Sequence, residues 1–174
     1  MLTQIAQASM GFVDTLVAGQ YNTLDLAAVA LGSSIWLPIY LAATGILMAT
    51  TPLVAFAMGS KQSETVLSIF KQGTWVAATL GVISVILLNS ATWIFELMKV
   101  EEPLALKAEE YLYAISWGFP ALMFYQLHRS YFEGLGKTRP AMNIALLALL
   151  LNIPLNYLFV FGKMGFPELG AAGC

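Results

Sequence analysis

Long apolar runs separated by short charged stretches dominate the pattern of hydrophobic and polar positions along this chain. The charges leave uncharged runs between Asp25 and Lys61, Lys71 and Glu96, Glu110 and Arg129, and Arg139 and Lys163. A helix needs about 20 mostly apolar residues to cross a bilayer. Runs of this length, bounded by charge, predict membrane-crossing helices.

Adding the apolar N-terminal stretch gives five predicted transmembrane helices, at about 1–18, 26–58, 66–95, 104–133 and 140–161. Membrane barrels would instead show alternating segments of about ten residues, and the chain lacks them. The second segment is long for one straight crossing and contains Pro38 and Pro52, which favour bending. The predicted fold class is therefore all-α, a polytopic transmembrane helix bundle.

Composition supports the same class. Apolar residues make up 59% of the 174 residues and charged residues 10%, whereas average proteins carry about 25% charged residues. This excludes a soluble enzyme and a disordered tail. A net charge of −2 gives no support to nucleic-acid binding, which needs a basic face.

The distribution of lysine and arginine predicts the orientation. One side of the predicted topology carries Lys61, Lys71, Arg129, Lys137 and Arg139, and the other carries Lys99, Lys107 and Lys163. Cytoplasmic loops carry the excess of basic residues. The first side, and with it the N-terminus, is therefore predicted to be cytoplasmic.

Asp14 is the first candidate functional residue, because it lies within an apolar segment. A carboxylate in the bilayer interior is costly and usually functional. Helical geometry places Asp14 on one face with Gln7 and Gly11, which favours a cavity-lining stripe. The alternative is a solvated charge at headgroup level near the helix end.

Asn152 and Asn156 form the second candidate constellation, because residues four apart share a helix face. Pro154 between them has no N–H, which leaves the carbonyl of Leu150 free. These oxygens can hold Na⁺ or pair with a protonated carboxyl. Alternatively, the two amides bond across helices as part of the packing.

Other chemistry-bearing residues give weaker signals. His128 is the single histidine, so no pair of histidines can bind zinc. The four tryptophans, Trp36, Trp75, Trp93 and Trp117, are typical of an interface belt or of packing.

Three stretches together resemble the multidrug and toxic compound extrusion family, in its NorM-like bacterial branch. They are MGFVDTLVAG (10–19), YFEGLGKTRPAM (131–142) and LLLNIPLNYLFVFGKMGFPELGAAGC (149–174). The resemblance implies two six-helix lobes around a cavity that opens alternately to each side. The chain would be a partial N-terminal lobe over 1–174, five of its six helices, with the sixth helix and the second lobe missing.

The resemblance also implies the activity and the site. Such proteins export cationic amphipathic drugs by antiport against Na⁺ or H⁺. Asp14 matches the family's first-helix aspartate, which takes part in cation or proton coupling and is a candidate Na⁺ ligand. Asn152 and Asn156 match its fifth-helix polar pair, and Gln7 and Pro154 are candidate cavity-lining residues. Some branches carry aspartate where Asn156 stands, which weakens any two-carboxylate site in this lobe.

Two alternatives stay open. A lipid-linked-saccharide flippase of the same superfamily would line its cavity with basic residues, and here these lie at the predicted helix ends. An intramembrane aspartyl protease needs two carboxylates, and Asp14 has no second intramembrane acid, because the other acids lie outside the uncharged runs. We therefore expect no enzymatic activity and no cofactor other than the coupling ion. We also expect small cationic substrates, a bacterial inner-membrane location, no nucleic-acid partner and a monomer when full length.

Overall fold

Six helices account for most of the described structure. A computed structural model describes residues 9–13, 16 and 23–160, without the side chains of Thr92, Glu96 and Asn156. The helices are α1 Thr23–Met48, α2 Thr50–Gly59, α3 Ser63–Asn89, α4 Thr92–Leu97, α5 Glu102–Gly134 and α6 Arg139–Val160. The described part of the first segment is helical, and no strand occurs in the described residues.

Pro52 explains why the second predicted segment is divided into α1 and α2. It lies in the first turn of α2, and its missing N–H leaves the carbonyl of Met48 without the usual helical donor. Ala49 stands between the helices with φ −59° and ψ −21°, so the chain keeps its direction. Residues 23–59 form one apolar rod with a local break.

The turns that follow the long helices contain backbone conformations that end them. Lys61, after α2, has φ 57°, and Gly136, after α5, has φ 71°. Glycine adopts the left-handed region without the steric cost that a side chain brings. The third predicted helix also ends earlier than expected, because α3 stops at Asn89 and the short α4 follows.

α5 is the central helix, packed mainly against α3 and α1, while α6 contacts it sparsely. Its buried side chains include Phe119, Met123 and Leu127. At Gly81 of α3, an added Cβ would lie 2.9 Å from the Cα of Pro120. Small residues at such crossings let helix backbones approach closely in membranes.

Contacts between α1, α2 and α5 show which ends lie together. The Thr51 hydroxyl donates a hydrogen bond to the Ser130 carbonyl at 3.1 Å, near the loops that contain Lys61 and Lys137. At the other end, Lys107 meets Asp25. The predicted placement of those two loops at the same end of the bundle is confirmed.

The outside of the lobe is apolar. Phe56, Trp75 and Leu150 are each more than half exposed, as expected for side chains that contact lipid rather than water. Three described stretches are long and apolar enough to cross a membrane: Thr23–Gly59, Ser63–Asn89 and Arg139–Val160. α5 is longer than needed but more charged, and five crossings stay a prediction.

Candidate functional site

The residues predicted from sequence fall in two regions. Asp14 and Gln7 lie outside the described residues. Asn152, Pro154 and Asn156 lie on α6, where Asn152 is half-buried and Pro154 exposed. The grouping of Asp14 with the α6 amides therefore stays a prediction.

Pro154 does not interrupt α6. The helix runs from Arg139 to Val160 with the proline inside it, so Asn152 and Asn156 do occupy positions one turn apart on a continuous helix. The missing N–H of Pro154 still removes the donor that the carbonyl of Leu150 would use. The proposed grouping of Asn152 and Asn156 therefore does not depend on a break in α6.

α1 and α2 together run parallel to α5 in a constant register. The contacts join Asp25 to Lys107, Gly32 to Tyr111, Tyr40 to Phe119, Thr51 to Ser130 and Val54 to Gly134. Partner numbers thus differ by 79 to 82. A residue on α1 therefore lies level with the α5 residue about 80 positions later.

An aromatic cluster fills the middle of this interface. The Trp36 indole N–H donates to the Tyr111 hydroxyl at 3.3 Å. The rings of Trp36, Tyr40 and Phe119 lie edge to face, with centroids 5.8–6.5 Å apart. Trp36 is therefore a packing residue, one of the two roles predicted for the tryptophans, whereas Trp75, Trp93 and Trp117 are exposed.

Below the aromatic cluster, buried polar atoms lack partners. The Oγ1 of Thr44, the hydroxyl of Tyr125 and the Oε1 of Gln126 have no hydrogen-bond partner in the described part of the protein. Gln126 is 3% exposed, and its Nε2 lies 3.5 Å from the Ser130 hydroxyl. The register puts Thr44 at the level of Tyr125 and Gln126. We call these three residues the internal polar group.

Unpartnered buried polar atoms are costly and uncommon in folded proteins. Hydroxyl and amide oxygens are also the groups that bind water or hard cations. The internal polar group is thus a candidate site. Sequence reasoning missed it, although Gln126 is an uncharged polar residue within a predicted apolar span.

Asp25 was interpreted from sequence as a charge that bounds the second segment. The structure shows that its side chain is 0% exposed and that Lys107 Nζ lies 2.8 Å from its Oδ1. Beyond this ion pair, neither carboxylate oxygen has a hydrogen-bond partner among the described residues. Asp25 lies just before the predicted span 26–58, so the structure shows a buried acid that the sequence analysis did not single out.

Acidic residues gather at the end of the bundle where α1 and α5 begin, which we call the acidic end. A cavity of about 290 Å³ opens there between α3, α4 and α5. The residues that line it include Glu109, Glu110, Asn89, Phe95 and Tyr113. Carboxylates beside aromatic rings suit a cation with an apolar body.

His128 does not contribute to a metal site. Its Nδ1 lies 2.7 Å from the Phe124 carbonyl oxygen, and its ring packs on Phe70. No group of three potential metal-ligating side chains (His, Cys, Asp or Glu) occurs in the part of the chain that the structure describes.

The model of the MatE family matches residues 1–158 of this chain. The chain belongs to the MatE family. This match confirms the family resemblance inferred from the three sequence stretches. The structure confirms the predicted all-α helix bundle. MATE proteins are membrane transporters, so a lipid environment and multiple crossings follow for this chain.

Solved structures show the same fold. The chain resembles an outward-facing multidrug resistance MATE transporter of the MOP superfamily, with a TM-score of 0.89 and 24% identity over 99% of this chain and 38% of that one. It also resembles an inward-facing one, with a TM-score of 0.85 and 24% identity over 94% and 37%. This lobe thus has the fold found in both conformations.

A third similar structure has a distinct proposed role. It is a MOP superfamily transporter from Pyrococcus furiosus, for which the reversed polarity of the binding pocket suggests a different function. The TM-score is 0.85, with 24% identity over 99% of this chain and 38% of that one. The chain spans under two fifths of the structures it matches.

Proposed function

We propose that the protein containing this chain exports cationic amphipathic compounds by alternating access, in exchange for Na⁺ or H⁺ moving inward. The match to the MatE family over residues 1–158 carries this proposal. The fold of the lobe, which is shared with MATE transporters in two access states, supports it.

The charge distribution suits a cationic cargo. The basic residues Lys61, Lys71, Lys137 and Arg139 are exposed at one end of the bundle. The cavity at the opposite, acidic end presents Glu109, Glu110 and two aromatic rings. With the basic end in the cytoplasm, which the excess of lysine and arginine favours, the acidic end faces outward and attracts cations there.

The proposed coupling site combines Asp14 with Asn152 and Asn156. A carboxylate inside a membrane span can hold either a proton or Na⁺, and neutral amide oxygens complete a site for a hard cation. A cationic drug in the cavity competes for the same negative charge. That difference in affinity couples the two fluxes, because a ligand shifts an equilibrium only through its differential binding.

The cavity wall would be completed by Gln7, Pro154 and the internal polar group. Among the described residues, the Gln126 Oε1 and the Tyr125 hydroxyl have no hydrogen-bond partner, and these oxygens would orient water or a partly dehydrated cation. Further proposals are a bacterial inner membrane, a cytoplasmic N-terminus and a full-length monomer.

A flippase for lipid-linked saccharides fits less well. Such a protein would need basic side chains in its cavity, to hold phosphate groups. Among the described residues, the partly buried basic side chains are Lys107, paired with Asp25, and Arg129, paired with Glu133 at 2.9 Å. Both charges are already neutralised, which favours a cationic cargo.

An intramembrane aspartyl protease also fits poorly, although Asp25 is buried. Its chemistry needs two carboxylates that share a proton. Asp25 instead lies 2.8 Å from a lysine ammonium, and this partner removes the free carboxylate that the reaction would use.

Asp14→Asn in the full-length protein tests the proposal. Asparagine keeps the size and hydrogen bonding but removes the charge, so we expect coupled efflux of a fluorescent cation to be lost while membrane insertion stays normal. The matched control is Glu102→Gln, which removes an exposed acid at the start of α5 and should leave efflux unchanged. Wild-type efflux in Asp14→Asn would refute the coupling site and favour the headgroup-level interpretation of Asp14.

A further inference from the structure

The ion pair between Asp25 and Lys107 has no role in the exchange site described above. Asp25 is the third residue of α1 and Lys107 the sixth of α5, so the pair joins the acidic ends of two parallel helices. The carboxylate is completely buried, whereas the lysine side chain is 34% exposed. The pair therefore lies where the bundle interior meets the solvent-exposed end.

Stability alone does not explain a buried ion pair. The desolvation of two charges offsets most of their attraction, and apolar pairs of similar volume often hold a fold as well or better. The best-attested use of such pairs is to select one register among several of similar energy. The α1–α5 interface needs such a selection, because two apolar helices in lipid gain little free energy from one register over another.

The remaining contacts of this interface permit a limited choice of registers. Gly32 receives the Tyr111 ring, and Gly134 receives Val54. Both contacts depend on the absence of a side chain, since an added Cβ would lie 2.5 Å from the Tyr111 ring and 2.7 Å from Val54. They are the packing contribution that a test must separate from the ion pair. The Asp25 carboxylate, in contrast, meets Lys107 in the observed register, since a slip of one turn moves it about 5.4 Å.

We propose that Asp25 and Lys107 are positioning residues that fix the register of α1 against α5 and so hold the internal polar group in line. With the pair formed, Thr44 lies level with Tyr125 and Gln126. Without it, α1 samples neighbouring registers and Thr44 moves to a different height from Tyr125 and Gln126. The effect on transport rests on the proposed function, but the effect on register does not.

A distance measurement tests the register without any transport assay. Spin labels go on the exposed residues Ala30 and Ala121 of the full-length protein, reconstituted in lipid. The parallel register sets them about 11 residues, or about 16 Å, apart along the bundle axis. We expect one narrow distance in the wild type, and a second population shifted by up to about 5 Å in Asp25→Asn and in Lys107→Gln.

The decisive variant is Asp25→Leu with Lys107→Met, which replaces the pair by apolar side chains of similar size. It should fold with undiminished thermal stability, yet show the broadened distances of the single variants. Transport should fall about tenfold, equivalent to about 1.4 kcal/mol. Lys107→Arg, which keeps the charge, should keep the single narrow distance of the wild type and most of its transport rate.

The control is Lys99→Gln, which removes an exposed lysine from the same end and should change neither measurement. A single narrow distance in the apolar variant would overturn the proposal, because the register would then be set by packing. If the wild type exports no cation, the proposed function fails, while the distances still decide the register.

Discussion

The side-chain amide of Gln126 lies in the interior of the lobe, where the residue is 3% exposed. Its Oε1 lacks a hydrogen-bond donor among the described residues, and its Nε2 has one long contact. Leaving such an acceptor unsatisfied costs about 1–3 kcal/mol. A residue that lowers stability in this way is expected to contribute to transport.

Gln126→Leu should therefore separate stability from transport. Leucine has similar volume and no polar atom, so the free energy of unfolding should stay unchanged or rise by about 1 kcal/mol. Efflux of a fluorescent cation should fall. Thermal unfolding of the purified protein and efflux from vesicles give the two readouts.

Gln72→Leu is the matched control for this prediction, because Gln72 is an exposed amide on α3. It should leave efflux unchanged. A clear loss of thermal stability in Gln126→Leu would show that its Oε1 has a partner that stabilises the fold, and would remove the internal polar group from the account.

At the scale of the helices, close crossing between α3 and α5 depends on Gly81. The position where its Cβ would stand lies 2.9 Å from the backbone of Pro120, which cannot rotate away. Gly81→Val should therefore push the helices apart and cost about 1–3 kcal/mol, as overpacking does in dense cores. The measurement is thermal unfolding in detergent.

Gly45 on α1 provides the contrast. No heavy atom of another part of the protein lies within 4 Å of the position that a Cβ would take, so Gly45→Ala should be neutral or stabilise the protein by up to about 1 kcal/mol. Equal losses from both substitutions would indicate a general helix effect and contradict the crossing as described.

The sequence predicts the positions of the helices better than the contacts between them. Charge-bounded apolar runs located α3, α5 and α6, because bilayer thickness imposes a minimum length that a run of residues displays directly. Pro52 predicts that the second segment bends, but the sequence does not predict that the break falls at Ala49. The end of α3 at Asn89 was missed, because the apolar run Trp93 to Phe95 follows closely and residues 90–101 contain neither proline nor glycine.

The candidate site shows the same limit. Asp14, Asn152 and Asn156 are conspicuous because polar residues in apolar runs are rare. Asp25 was not, because a charge at the edge of a run is typical of a solvated helix end. Its burial depends on α5 lying alongside, with Lys107 in reach, and contacts between distant residues leave no trace in local pattern.

At the scale of the whole molecule, the lobe combines a frame of constant register with opposite charge at its two ends. α1, α2 and α5 keep one register along their shared length, from the ion pair of Asp25 to the contact of Val54 with Gly134. The fold matches both outward-facing and inward-facing transporters. Such a frame suits alternating access by movement of whole lobes.

The most direct test of cation-coupled export uses the full-length protein, purified and reconstituted in sealed vesicles. An inward gradient of Na⁺ or of H⁺ is imposed separately, and the movement of a fluorescent organic cation is followed beside that of an anionic dye of similar size. The account predicts that one of the two gradients drives the cation out against its own gradient and leaves the anion unmoved. Movement that no ion gradient can drive, or equal movement of the anion, would contradict it.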